Sequence, residues 1–227
     1  RFSAAFAFLA DISMGTMGGA LKRKEKLSAR LGDILSLMYL ASATLRRYEA
    51  EGRQAADAPL MHWAIWDCMF KAQNAFEGVI ANFPNRFFAL ILRRLVVFPL
   101  GRPYVVPSDR LGHEVARLLI EPGATRDRLT ADVYLPTDVE EPVGALEAAL
   151  LATVEAEPIE AKLKKAQKDG RFKPGLLVGG GVDAVWRKAL EAGVISAAEY
   201  EVVERHNRLR DKVIRVDDFA YDFGLRE

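Results

Sequence analysis

The residue types that could do chemistry are few and scattered along the chain. Cys68 is the single cysteine, so no internal disulfide forms, and its position on a predicted helix is typical of a small buried hydrophobe. His113 and Glu114 are adjacent and therefore point apart on a helix. His62 has no second histidine or cysteine at metal-ligand spacing. The sequence therefore predicts neither a nucleophile–base pair nor a metal-binding set.

One glycine-rich stretch runs from Leu176 to Asp183 and reads LLVGGGVD. It lacks the preceding strand, the glycine spacing and the lysine of a P-loop or a dinucleotide-binding turn. We therefore interpret it as a flexible connection before the next helix rather than a phosphate-binding loop.

A first basic stretch, KRKEK, contains Lys22, Arg23, Lys24 and Lys26. Such a cluster could contact phosphate, an anionic lipid or an acidic partner domain. It could equally be a solvated helix end, with its cations balancing the C-terminus of the helix before it. The sequence leaves both interpretations open.

A second basic stretch, RFFALILRRLVVFPLGR, runs from Arg86 to Arg102. Its apolar part is too short for a bilayer span, which needs about 20 residues. It could lie on an anionic membrane surface as a basic amphipathic helix, or it could be a core helix whose arginines reach solvent. The candidate contact residues for a membrane or a partner are Arg86, Phe87, Phe88, Arg93, Arg94 and Arg102.

The elements that position these residues are predicted to be helices, and the central one covers Lys22 to Tyr48. Its apolar residues follow one another at alternating spacings of four and three, which is the helical period. They are Leu27, Leu31, Ile34, Met38, Ala41, Leu45 and Tyr48. Leu35, Leu37 and Leu40 widen this apolar sector, so we expect several neighbours. Gly32 and Ser36 would let another helix come close.

Further helices are expected on both sides of this one. Phe2 to Met17 reads as a helix buried on much of its circumference, too short and too broken by Asp11 to cross a membrane. Leu60 to Phe83 is an aromatic-rich helix. A long helix over Val143 to Lys168 should be split or kinked at Pro158, and the motif Ser196 to Glu199 predicts a capping box.

No stretch alternates between apolar and polar residues for long enough to form a sheet, so the predicted fold class is an all-α multi-helix bundle. The loop Pro136–Pro142 is the best internal linker. It separates a main bundle, residues 1–136, from a C-terminal helical extension, residues 137–227, unless the two form one continuous domain.

Charge and composition restrict the classes of partner and the compartment. The 32 basic and 31 acidic residues leave a net charge of +1, and no basic stretch is interleaved with aromatics as on a base-stacking surface, so nucleic-acid binding is not expected. A lone cysteine fits a reducing, cytoplasmic location. The chain begins at Arg1 without an initiating methionine, which predicts a piece of a longer protein.

Four ordered segments resemble one known family. They are GGALKRKEKLSARLGDILSLMYLASATLRRYE (Gly18–Glu49), ANFPNRFFALILRRLVVFPLG (Ala81–Gly101), PSDRLGHEVARLLIEPGATRDRLTADVYLP (Pro107–Pro136) and, more weakly, VIRVDDF (Val213–Phe219). Together they resemble the C-terminal region of bacterial long-chain acyl-CoA dehydrogenases of the FadE type. The resemblance extends over nearly the whole chain and thins between Gly170 and Gly193.

That resemblance implies a parent enzyme of fatty-acid β-oxidation that converts acyl-CoA to trans-2-enoyl-CoA. In the family a glutamate removes the α-proton, FAD accepts a hydride from the β-carbon, and an electron-transfer flavoprotein takes the electrons. The family's glutamate lies in a motif like V-E-G upstream of the matched region. Glu77-Gly78 is the nearest counterpart, but it is on the wrong helix. No catalytic or flavin-binding residue is therefore carried over to this chain.

The resemblance instead implies a structural role for this segment, which would itself bind no cofactor. It would dock on the catalytic domains of the same polypeptide, form an interface in a homo-oligomer, or line the acyl channel. The alternative is a peripheral attachment module at the inner face of the cell membrane.

Overall fold

A computed structural model describes residues 1–94, 102–173 and 181–216. All regular secondary structure in these ranges is helical, which confirms the predicted all-α class. The α-helices are α1 (Phe2–Met17), α2 (Glu25–Ala50), α3 (Ala58–Ala81), α4 (Arg86–Leu92), α5 (Asp109–Ile120), α6 (Ala124–Thr130), α7 (Pro142–Lys168), α8 (Gly181–Glu191) and α9 (Ala197–Ile214). Most of the glycine-rich stretch and residues 95–101 of the Arg86–Arg102 stretch lie outside the described residues.

The chain divides into two compact units, Arg1–Leu119 and Ile120–Glu227. The division falls before the Pro136–Pro142 loop, and the proposed boundary at residue 136 stays a prediction. That loop is folded against the start of α7, because the carbonyl oxygens of Pro136 and Asp138 lie within 2.9 and 2.1 Å of where a Cβ on Gly144 would be.

The first unit is built on a hairpin of α2 and α3. Its core contains Leu9, Leu27, Ile34, Phe76, Val79, Ile80, Phe83, Ala89 and Leu92, so α1 and α4 complete the packing. Helix α2 ends just before Gly52, whose φ of 84° is a left-handed conformation that favours glycine.

The predicted inner face of α2 is confirmed at three buried positions, Leu27, Ile34 and Ala41. The wider apolar sector behaves differently, because Leu35 and Leu40 are exposed. A Cβ at Gly32 would meet no atom within 4 Å, so the close approach expected there is not made by the described residues. The alternating four- and three-residue spacing of apolar residues locates the buried face of α2. It does not show whether the apolar residues beside that face are covered by another helix.

Helix α1 differs from its prediction in burial. Leu9 and Ser13 are buried, but only 11% of an 18-residue window of the helical stretch Phe2–Arg23 is buried. The expected burial of much of the circumference is therefore wrong, because the neighbours that pack on α1 cover one face alone. The helical stretch Phe2–Arg23 has 22 residues and contains an 18-residue window with a mean hydropathy of 1.4, so by length and composition alone it could cross a membrane. The expectation that this segment is too short and too broken by Asp11 to do so is therefore wrong. Core helices and N-terminal signal sequences meet the same criterion.

The second unit is organised by α7, α8 and α9. The buried residues of α7 include Ala149, Ala152 and Ala156, so its contact face is lined with small side chains. The helix continues through Pro158, and the predicted split does not occur. Ala156 and Ile159, on either side of the proline, are buried, whereas Pro158 itself is exposed.

The start of α9 confirms the predicted capping box. The Ser196 hydroxyl accepts from the Glu199 N–H at 3.2 Å, and the Glu199 carboxylate accepts from the Ser196 N–H at 2.7 Å.

Candidate functional site

Helix α4 carries three of the six predicted contact residues, Arg86, Phe87 and Phe88, and Arg93 and Arg94 follow it directly. Asn85 caps it, because its side-chain oxygen accepts the N–H groups of Phe87 and Phe88 at 3.0 and 3.3 Å. Ala89 and Leu92 are buried in the core, with Phe88 packed partly against it. The opposite face is open to solvent.

On this open face two large apolar side chains lie among arginines. Phe87 and Leu90 are 68% and 66% exposed. Arg86, Arg93 and Arg94 are also exposed, and none of the three forms an ion pair with another described residue. Phe88 therefore serves the core, whereas Phe87 and three of the four predicted arginines remain available for a contact.

Arg102 is separate from this group. Its guanidinium forms an ion pair with Glu77 at 2.9 Å and donates to the Asn74 side-chain oxygen at 2.6 Å. Both partners lie on α3. Arg102 thus connects the segment that begins at residue 102 to α3. Its place in the basic stretch did not indicate this role.

Residues 102–107 form an extended segment that lies along α3. The fully buried Gln73 donates to the Tyr104 carbonyl at 2.9 Å and accepts the Tyr104 N–H at 3.1 Å. Trp66 Nε1 donates to the Val105 carbonyl at 2.8 Å. The Tyr104 ring packs edge-to-face on Phe2 and Trp66, at centroid distances of 5.4 and 5.3 Å.

The two basic stretches lie toward the same end of the first unit. Arg30 of α2 lies 2.9 Å from the position of a Cβ on Gly78 of α3, so the start of α2 is beside the end of α3. Helix α4 follows directly from that end. The resulting basic end, which is exposed, comprises Lys22, Arg23, Lys24, Lys26, Arg86, Arg93 and Arg94. None of its members forms an ion pair with another described residue.

The surroundings of Cys68 disfavour the thiolate form that a nucleophile needs. Burial raises the pKa of its thiol, and the negative charge of the adjacent Asp67 raises it further. Among the residues that the structure describes, no three His, Cys, Asp or Glu side chains converge as a metal site would require.

The second unit contains a cavity of about 180 Å³ between α8 and α9. It is lined by Asp183, Trp186, Arg187, Tyr200, Val203, Glu204, Asn207, Arg208 and Asp211. Asn207 closes one side by donating to the Asp183 carboxylate at 2.9 Å. Pockets that enclose drug-sized ligands measure roughly 300–1,000 Å³, so this cavity is too small to enclose a flavin dinucleotide. The cavity therefore does not fit FAD.

Comparison with known proteins agrees with the helical architecture and with the ordered segments of the sequence. The family described as "Acyl-CoA dehydrogenase, C-terminal, bacterial type" matches residues 1–219 of the 227. No solved structure matches the chain. Because the match covers nearly its full length, this chain belongs to the family of bacterial-type acyl-CoA dehydrogenase C-terminal domains.

Proposed function

We propose that this chain is the non-catalytic helical domain of an FAD-dependent enzyme of fatty-acid β-oxidation. The parent would oxidise acyl-CoA to trans-2-enoyl-CoA and pass electrons to an electron-transfer flavoprotein. The domain would dock on the catalytic domains of the same polypeptide. Membership of a C-terminal domain family supports the parentage, and the open face of α1 supports the docking.

The observation that carries the docking proposal is the composition of that open face. Phe8 and Met14 are exposed large hydrophobic residues on α1, and Asp11 is the only charged residue of the helix. A surface helix normally turns charged residues toward solvent. Burial of α1 against the catalytic domains would remove this apolar surface from water.

Docking is tested by mixing the 227-residue chain with the separately expressed remainder of the parent. Co-purification is expected, and Phe8→Asp should weaken it at least about tenfold because a carboxylate would be buried without a partner. The equally non-conservative Leu151→Asp, at an exposed position of α7, is the control. Equal binding by the two variants would contradict docking through α1.

The non-catalytic assignment is tested with the chain alone. Purified protein should show no flavin absorbance, and added FAD should support no turnover of acyl-CoA substrates. Bound flavin together with turnover would overturn the assignment.

A second candidate function is attachment to the inner face of the cell membrane through the basic end. Arg86, Arg93 and Arg94, which form no ion pair with another described residue, neighbour exposed Phe87 and Leu90 along the chain. Exposed apolar side chains next to cations are the combination that an anionic bilayer surface attracts. Each basic residue near such a surface contributes about 1 kcal/mol.

Vesicle sedimentation separates the two candidates. An attachment module should bind vesicles that contain phosphatidylserine and dissociate from them at high salt. It should not bind neutral vesicles. Arg93→Glu with Arg94→Glu should abolish binding, whereas Lys164→Glu on the exposed side of α7 should weaken it little. Absence of binding to anionic vesicles at low salt would exclude the membrane role.

A further inference from the structure

The outer face of α2 is an unusual solvent surface. Leu35, Tyr39 and Leu40 are 54%, 72% and 52% exposed. The stretch from Ile34 to Leu45 contains no charged residue over twelve positions, or about three turns. A solvated helix face would be expected to carry charges there, so this face is better suited to contact with another surface.

The same face is shaped to accept a helix. Gly32 is exposed and a Cβ there would meet nothing within 4 Å, so a neighbouring side chain has room above it. Its neighbours on the face, Ser28, Ser36 and Ala43, are also small and exposed. Tyr39, seven residues beyond Gly32, provides the large side chain that would fill such a space.

The charges on this face make it complementary to itself. Glu25, Gly32, Tyr39 and Arg46 recur every seven residues, so they lie on one line along the helix. If a second, antiparallel copy of the helix is placed on this face with the midpoints between Leu35 and Ser36 aligned, Glu25 of one copy lies opposite Arg46 of the other. In the same arrangement Gly32 lies opposite Tyr39. Neither Glu25 nor Arg46 forms an ion pair with another described residue.

We propose that α2 is a homodimer interface, in which the outer faces of two copies pack antiparallel. Tyr39 of each copy lies over Gly32 of the other, and Glu25 of each copy pairs with Arg46 of the other. Because the axis is two-fold, each contact occurs twice. The contact runs for about 32 Å, from Glu25 to Arg46. The interface is separate from α1, which the proposed docking uses, and does not depend on that proposal.

The oligomeric state of the 227-residue chain is the test, measured by sedimentation velocity over a range of concentrations. A concentration-dependent dimer is expected. Tyr39→Glu should raise its dissociation constant at least about tenfold, because two carboxylates become buried. Tyr134→Glu is the control, since Tyr134 is also 72% exposed but belongs to the second unit. A monomer at every concentration, or a dimer that responds equally to both variants, would overturn the proposal.

A charge exchange tests the antiparallel register and does not depend on the Tyr39 variant folding. Glu25→Arg and Arg46→Glu each place like charges opposite one another twice, so each should weaken the dimer about tenfold or more at low salt. The double variant restores opposite charges and should return the dissociation constant to that of the unmodified chain. Circular dichroism confirms that each variant is folded. A double variant weaker than both single variants would overturn the register.

Discussion

Gln73 holds the backbone of Tyr104 with both ends of its carboxamide, donating to the carbonyl at 2.9 Å and accepting the N–H at 3.1 Å. The contact spans 31 residues of sequence and gives both polar atoms of a fully buried side chain a hydrogen-bond partner. The pair therefore holds the extended segment against α3 at the level of Phe76 and Phe2, whose rings pack edge-to-face.

Replacement of Gln73 should be costly. In Gln73→Leu the Tyr104 N–H and carbonyl both lose their side-chain partner, and we expect a loss of about 1–3 kcal/mol in the free energy of unfolding. Gln54→Leu is the matched control, because Gln54 is exposed and donates only to the nearby Glu51 carbonyl. Urea unfolding measures both variants. Equal stability would contradict a structural role for the Gln73–Tyr104 pair.

His206 should make the second unit sensitive to acid. The Thr153 hydroxyl donates to the Ala149 carbonyl, so the buried imidazole Nδ1, 3.3 Å away, donates to Thr153 Oγ1. Burial lowers the His206 pKa, as does the positive charge of Arg210, against opposing effects of Glu160 and Asp211. A histidine with a lowered folded pKa stabilises the protein above its unfolded pKa, about 6.5, and loses that contribution as pH falls through the folded value.

Unfolding experiments at pH 7 and pH 5 measure this effect. The chain should lose stability on acidification, and His206→Gln should lose less because it cannot take up the proton. His113→Gln, at an exposed position of α5, should behave like the unmodified chain. If His206→Gln retains the full pH dependence, protonation of this imidazole is not the cause.

The ion pair between Arg126 and Glu147 should stabilise the attachment of α6 to α7. The two terminal guanidinium nitrogens, Nη1 and Nη2, donate to the carboxylate at 2.8 and 2.5 Å, and both side chains are largely buried. The hydrogen bonds from Arg126 lower the Glu147 pKa, although burial opposes them. The contribution is therefore present above the unfolded pKa of about 4.3 and is lost as pH falls through the lower folded value.

Glu147→Gln should reduce the free energy of unfolding at pH 7 by about 1–3 kcal/mol, because a charged hydrogen-bonding partner is lost. Glu49→Gln removes a carboxylate from the exposed ion pair with Arg53. This variant should change the free energy of unfolding by less than about 0.5 kcal/mol. Chemical denaturation compares the two. The difference between Glu147→Gln and the unmodified chain should shrink at pH 3, and a constant difference would contradict the electrostatic explanation.

Gly144→Ala should destabilise the second unit although alanine favours helices. The new methyl would collide with the carbonyl oxygens of Asp138 and Pro136, which belong to backbone and must shift, at a cost of about 1–3 kcal/mol. Gly15→Ala in α1 meets no atom within 4 Å and should stabilise by up to about 1 kcal/mol. Opposite shifts of the melting temperature are expected, and a stabilising Gly144→Ala would contradict the packing of the Pro136–Asp138 loop.

Local features of this protein could be read from its sequence. The alternation of Leu27, Ile34 and Ala41 located the buried face of α2, and Ser196 with Glu199 located the start of α9. Each depends on interactions between residues a few positions apart, which the order of residues specifies directly. The all-α class and the family followed from the same level of information.

Only the tertiary structure decided which surfaces are covered and which distant residues meet. Arg102 reads as a member of the basic stretch, yet it pairs with Glu77, and Gln73 gave no sign that it would bind Tyr104. The exposure of Tyr39 and the position of the two basic stretches toward the same end were equally unpredictable. Helical periodicity specifies the faces of each helix, but the partner of each face depends on how all the helices pack together.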